Sequence, residues 1–399
     1  METHVVEWLG LLARWVHIIA AIMWIGNSML YNWMERNLRP GKEGDPNKFG
    51  ELWMLHGGGF FKLEKFRAHA DTLPKQLFWF KWQSYTTWLS GFALLILVYF
   101  QSSGAFLLNP LRPEITYPIG VSIALGFLVF GWLIYDSLWR LPLNQGVKLT
   151  ASLILLIAAA WGASELFSGR GAYLMLGAML ATFMSGNVFF HIIPSQKKMM
   201  ATLEHGGEQD MSLSKRAKQR SIQNNYITFP VILTMLSNHY GMLYSHPFNW
   251  VILLVLMFMS ALIRHFMNIR FQWKPWFAAS AATMAAAAVI IFGIFHFTNQ
   301  KAAAGETAGL GEPVEFVQAW AIVQSRCLPC HSTTPSRPEF SALIQGVHFD
   351  KPEELKAYAD RVKVRVVTQE SMPLANITAM TPEERAIIGR WVDQGAKLN

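Results

Sequence analysis

Over the first three quarters of the chain, apolar residues come in long runs separated by short polar loops. A bilayer core takes about 20 mostly apolar residues as helix. Eight segments meet that length, roughly 8–34, 80–101, 117–136, 147–167, 172–193, 226–244, 248–269 and 275–297. Trp79, Trp82, Tyr85, Tyr244 and Trp250 lie near their ends, where amphipathic rings favour the membrane interface. The run Trp8–Met34 is long enough to span, so it reads as a first span and not as a cleavable leader. The pattern then changes. Residues 299–313 are rich in Ala, Gly and Thr with no apolar stripe, which predicts a flexible linker. Residues 314–399 predict short helices at about Val314–Arg326, from Pro352, and from Thr381. At the last, Thr381 is the N-cap, Pro382 follows at the first helical position, and Glu384 completes a capping box. Ile387, Ile388 and Trp391 then form one apolar stripe. The expectation is an all-α chain: a polytopic bundle of eight transmembrane helices over 1–298, a linker over 299–313, and a small helical domain over 314–399.

Composition agrees with a membrane reading. Only 15% of residues are charged and 52% are hydrophobic, against about a quarter charged in soluble domains. The formal charge of +8 would suit a nucleic-acid partner, but its distribution excludes one. Positive residues gather in alternate loops. Arg36, Arg39, Lys42, Lys48, Lys62, Lys65, Arg67 and Lys75 follow the first span. Arg140 and Lys148, then Lys197, Lys198, Lys215, Arg216, Lys218 and Arg220, then Arg270 and Lys274 follow the third, fifth and seventh. The opposite loops offer Arg112 and Arg170. The positive-inside rule makes the first set cytoplasmic and puts both termini outside. That predicts a multi-pass protein of a bacterial cytoplasmic (inner) membrane with periplasmic N- and C-termini.

The two cysteines of the chain fall within Cys327-Leu328-Pro329-Cys330-His331. This is a c-type haem attachment pattern, in which two thiols take the haem vinyl groups and the following imidazole binds iron. A zinc or redox pair is the bland alternative, but the adjacent histidine and an exported location favour haem c. Charge and motif are separate signals, and both place the C-terminal domain outside. Met372, in a turn-like stretch before Pro373, is the predicted second axial ligand, with Met380 and His348 as rivals. The domain therefore reads as a small class I-type cytochrome c.

Ionisable residues within spans are costly and are functional candidates. Toward the outer face lie Arg14, His17, Glu165, Asn238, His239, Tyr240 and His296; toward the inner face lie Asp136, Asn187, His191, Arg264, His265 and Asn268. Arg14, His17, His239, Asn238 and His296 are the first candidates for substrate chemistry, with His191, Arg264 and His265 as inner alternatives. Each has a bland reading as an interhelical hydrogen-bonding group, and Asp136 with Arg140 as an i,i+4 pair. Several histidines on different spans could instead hold a haem b or deprotonate a polar substrate. His56-Gly57-Gly58-Gly59 lacks the GK[ST] ending of a phosphate loop and reads as a tight turn.

Several blocks carry a family resemblance: Trp79-Phe80-Lys81-Trp82 with Tyr85 through Gly91, Ile192 through Lys198, Lys218-Gln219-Arg220-Ser221 with Asn224-Asn225-Tyr226, Ser237-Asn238-His239-Tyr240, and Ile263-Arg264-His265-Phe266. With His56–Phe61 they resemble the bacterial membrane-bound, cytochrome c-linked urate oxidases (urate hydroxylases), over essentially the whole chain. The resemblance implies oxidation of urate to 5-hydroxyisourate with water as oxygen source. Electrons would pass to the fused haem and on to a periplasmic or membrane respiratory acceptor. It assigns no role to individual residues of the spans. Met372-Pro373-Leu374-Ala375-Asn376 also departs from the usual Met-Pro-Pro-Gly-Asn type. Two other classes stay open: a quinol- or other-substrate:cytochrome c oxidoreductase with membrane haem b, and a transporter with a cytochrome sensor tail.

Overall fold

The computed structural model describes residues 2–40, 47–69, 76–101, 106–109, 112, 114–244, 246–306, 313–337, 346–368 and 372–398. Lys42, Lys75 and Ser371, and the 307–312 part of the predicted linker, lie outside them. The chain is mostly helical. Among the described residues, six helices are long and apolar enough to cross a membrane: Val5–Asn37, Tyr117–Arg140, Gln145–Leu166, Gly169–Glu204, Asn249–Ile269 and Trp276–Thr298. The protein is thus a multi-pass membrane protein. The other two predicted spans are also helical but fall short of that measure. Trp82–Leu94 is α2, which passes into a π turn over Leu95–Phe100. Met211–Leu236 is α7. It begins well before residue 226 because its polar first half, invisible to a hydropathy window, is helical too.

The remaining helices of the bundle are α1 (Glu2–Asn37), α3 (Tyr117–Arg140), α4 (Gln145–Leu166), α5 (Gly169–Gly186), α6 (Ile193–Glu204), the short α8 (Gly241–Tyr244), α9 (Asn249–Ile269) and α10 (Trp276–Glu306). A π turn over Asn187–Ile192 joins α5 to α6. Asn144 and Ser168 cap α4 and α5 by accepting from Val147 N and Gly171 N. Helix α5 is central and packs on α3, α4 and α7, while α7 also packs on α9. Tyr173, Met175 and Leu176 of α5 are fully buried, in the same core cluster as Leu253 and Met257 of α9. Helix α1 pairs chiefly with α2 and α10 with α9, and both leave large apolar side chains outward. Such exposure suits lipid-facing positions.

Close approach of α5 and α7 depends on Gly177. A Cβ there would lie 2.1 Å from Thr234 Oγ1 and 2.8 Å from Thr234 Cβ. Gly177→Ala should therefore destabilise the bundle by about 1–3 kcal/mol through overpacking. Thermal unfolding in detergent checks this, and Thr234→Ala in the same chain, which removes the Oγ1 clash but keeps the Cβ, should restore part of the loss.

Two expectations need correction. The chain is not wholly α: the loop after α1 folds into a hairpin, β1 (Lys48–His56) against β2 (Gly59–Phe66), antiparallel with His56 opposite Gly59. The turn residues Gly57 and Gly58 have φ of 57° and 81°, the left-handed pair of a primed two-residue turn. His56–Gly59 is thus the tight turn expected of it. Glu35 of α1 clasps this hairpin to the bundle by bonding Lys65 of β2 and Lys218 of α7. The second correction concerns the linker. Helix α10 runs on to Glu306, so the Ala-rich stretch after 298 continues the helix, as alanine's high helix propensity favours.

The C-terminal unit holds α11 (Phe316–Arg326), α12 (Pro352–Ala357), α13 (Ala359–Lys363) and α14 (Pro382–Asp393) around a separate apolar core. Val323, Leu355, Ile388 and Trp391 fill that core. Thr381 Oγ1 accepts from Glu384 N and Glu384 accepts from Thr381 N, the capping box read from the sequence. Leu374 of this unit packs on the core cluster of the bundle. The end of the bundle where α5 begins and α7 finishes, here the near end, lies beside it: a methyl group on Gly241 would sit 3.4 Å from Arg365 Nη1.

Candidate functional site

Three polar features stand out: a cavity in the C-terminal unit and one cluster at each end of the bundle. The cavity, of about 330 Å³, is lined by Cys327, Cys330, His331 and Met372, with Phe349 and Leu374 among its apolar walls. Helix α11 ends at Arg326, and Cys330 N and His331 N both donate to Cys327 O in the turn that follows. This turn brings both thiols and the imidazole to one wall. His331 Nδ1 donates to Val347 O at 2.9 Å, which leaves Nε2 as the ligating atom, and the ring stacks on Phe349. Burial holds the His331 imidazole below its ordinary value, against the pull of that hydrogen bond, so the ring stays neutral. Burial and the neighbouring Cys330 push the Cys327 thiol up to about 12.

Across the cavity, Met372 is held through its backbone. The buried Arg385 donates to Met372 O at 2.6 Å and to Val366 O. Arg326, at the cavity's edge, grips Glu384 through Nε and Nη2. The rivals of Met372 lie elsewhere: Met380 is buried in the core, and neither it nor His348 lines the cavity. Two thiols, an imidazole presenting Nε2 and a thioether in an apolar wall fit a covalently attached haem.

The far end of the bundle gathers a buried network. Asp136 is 6% exposed, yet it takes three partners: His191 Nε2 at 2.6 Å, Arg220 Nη2 at 2.7 Å and Arg140 Nη2 at 2.6 Å. Arg220 Nη1 donates to Asn187 Oδ1 at 3.1 Å, and Asn187 Nδ2 donates to Tyr135 Oη and Asn224 Oδ1. The Tyr135 hydroxyl donates to Gln223 Oε1 at 2.6 Å. His191 and Asn187 both sit in the π turn after α5, a local irregularity that often marks functional positions. Beside this network Arg264 Nε donates to Asn225 Oδ1 at 2.7 Å, and the Tyr226 hydroxyl bonds His265 Nδ1 at 2.8 Å. Sequence reading named Asp136, Asn187, His191, Arg264 and His265. It missed Tyr135, Arg220, Asn224 and Asn225 as members. Arg220 was counted as a loop cation, and the signal that could have found it is its place in the polar run Lys218–Tyr226.

The near-end candidates do not converge. His17 is spent on helix pairing: its Nδ1 lies 2.9 Å from Thr87 O and 3.1 Å from Ser90 Oγ, against Gly91. His239 is exposed after α7, and His296 is exposed on α10, stacked on Phe292. Arg14 is exposed on α1. Asn238 joins a hydrogen-bonded cluster, with partners the sequence did not suggest, and Arg14 stands close enough to act electrostatically on its Tyr99. Asn238 Oδ1 accepts from Tyr99 Oη at 2.8 Å and from Arg170 Nε at 3.3 Å. The Arg170 guanidinium lies 4.4 Å from the Phe106 ring centroid. Arg170 was read as a loop residue, but α5 begins at Gly169 and carries it into the bundle.

The class these features define is a mostly helical multi-pass membrane protein joined to a unit with a cysteine- and histidine-lined cavity. Residues 3–295 match the family model described as urate oxidase, N-terminal. The chain therefore belongs to that urate oxidase family, which is associated with urate-related oxidation. Among the curated proteins and the solved structures, none matches the chain.

Proposed function

We propose that the protein oxidises urate to 5-hydroxyisourate at a bacterial cytoplasmic membrane, with electrons leaving through a c-type haem held by Cys327, Cys330, His331 and Met372. The observation that carries this reading is the coexistence, in one chain, of a urate oxidase family domain and the cavity that collects those four side chains. Urate and water would give 5-hydroxyisourate, two protons and two electrons, so oxygen need not take part. A haem in the cavity would supply a one-electron acceptor. The chain's own residues hold its ligands ready: Val347 O orients His331, and Arg385 fixes the backbone of Met372. Loop charge supports a periplasmic side for both termini, where a respiratory carrier would take the electrons.

The test is anaerobic mixing of purified full-length protein with urate while haem absorbance is recorded. Appearance of reduced c-type bands is the expected result. Unchanged spectra, with bands that dithionite still reduces, would reject urate as the donor.

A further inference from the structure

Urate is a planar anion at neutral pH, and its site needs a cation with no internal counter-ion. Several cations of this protein already have one. Arg220 has Asp136, Arg326 has Glu384, and Lys65 and Lys218 share Glu35. Arg170 does not. Among the described residues, no carboxylate lies within 4 Å of it. Two near-end carboxylates, Glu114 and Glu165, both face Arg112 instead, at 3.7 and 3.0 Å. Arg170 is also half-buried in the first turn of α5, where the helix dipole disfavours positive charge. A cation kept there against desolvation and dipole is poised for an anion.

Its surroundings suit a flat one. Phe106 covers one face of the guanidinium at 4.4 Å and Asn238 fixes Nε, so the fork's orientation is set before any ligand arrives. The Tyr99 hydroxyl reaches the same Asn238 oxygen. Position adds a second argument. Tyr99 and Phe106 belong to the core cluster on which Leu374 packs, and Leu374 also lines the cavity with Cys327 and Met372. Within the bundle, the buried Arg264 also has no carboxylate within 4 Å among the described residues, but it lies toward the opposite end. From there electrons would have to cross much of a bilayer core about 30 Å thick.

We propose that Arg170, positioned by Asn238 and Phe106 and accompanied by Tyr99, is the anion subsite that binds urate at the near end, next to the electron-exit cavity. This rests on urate being the substrate. The experiment measures equilibrium dialysis of labelled urate against full-length protein kept reduced with dithionite, so that binding is read without turnover. Arg170→Gln should weaken binding by tenfold or more. Arg170→Lys should fall between, since it keeps the charge and loses the fork. Asn238→Asp supplies an internal counter-ion without a change of size. It should weaken urate binding while leaving thermal stability and the haem spectrum unchanged. In turnover, Arg170→Lys should raise KM more than it lowers kcat. Wild-type affinity in both Arg170→Gln and Asn238→Asp overturns the subsite but leaves the urate reading intact. So does loss of binding confined to Arg264→Gln. Absence of urate binding by the wild-type chain, together with no haem reduction by urate, overturns both.

Discussion

Asp136→Ala should be among the most damaging single substitutions in the bundle, costing about 3–5 kcal/mol. The residue is almost fully buried and is the carboxylate that Arg220, itself 4% exposed, meets at 2.7 Å. Removing it strands the guanidinium between helices, and it also takes away the acceptor of His191 Nε2. The damage should spread along the chain of bonds, because Arg220 in turn orients Asn187, and Asn187 orients Asn224. Asp136→Asn keeps an acceptor and should cost less. The informative comparison is the double replacement Asp136→Leu with Arg220→Met. Deleting both charges avoids leaving either one buried alone, so it should be milder than Asp136→Ala. Thermal unfolding in detergent measures all three. An Asp136→Ala chain within about 1 kcal/mol of wild type would show that Arg220 finds another partner.

The second large effect is expected in the C-terminal unit. Replacing Cys327 and Cys330 together with alanine should abolish covalent haem and, with it, transfer of electrons from urate to an added acceptor. Haem staining of a denaturing gel reads the first, and anaerobic urate consumption reads the second. Staining that persisted in the double variant would refute attachment through these thiols. The membrane helices should still fold, because the two cores are separate and Leu374 is the C-terminal residue packed on the bundle's cluster. Met372→Ala should leave attachment intact and alter the spectrum, whereas the same change at Met380 should cost stability through a cavity in the core.

Much of the frame was legible from residues alone. Long apolar runs mark most of the helices, since lipid and protein core demand the same side chains. Thr381-Pro382-Glu383-Glu384 marked the start of α14 through purely local bonds. The polar sites were harder to see. Asp136, His191 and Arg220 come from three separate segments, and only packing tells that one carboxylate serves His191, Arg220 and Arg140 together. Arg170 and Arg220 resembled ordinary loop cations because hydropathy ends a span where polar residues begin. In this fold the helices continue, burying Arg220 at one end of the bundle and half-burying Arg170 at the other. The hairpin escaped notice because its ladder is set by pairing across a Gly-Gly turn, at a period that short polar stretches do not display clearly.

The position of Leu374 has an energetic consequence. It brings the C-terminal cavity against the same end of the bundle as Arg170. Substrate entering there, the two protons leaving it and the electrons departing through the cavity would all stay on one side of the hydrocarbon layer. No charge would then cross the bilayer during turnover, and the rate would not respond to membrane voltage. The protein itself would generate no gradient, and the free energy of the oxidation would be conserved only by carriers further along.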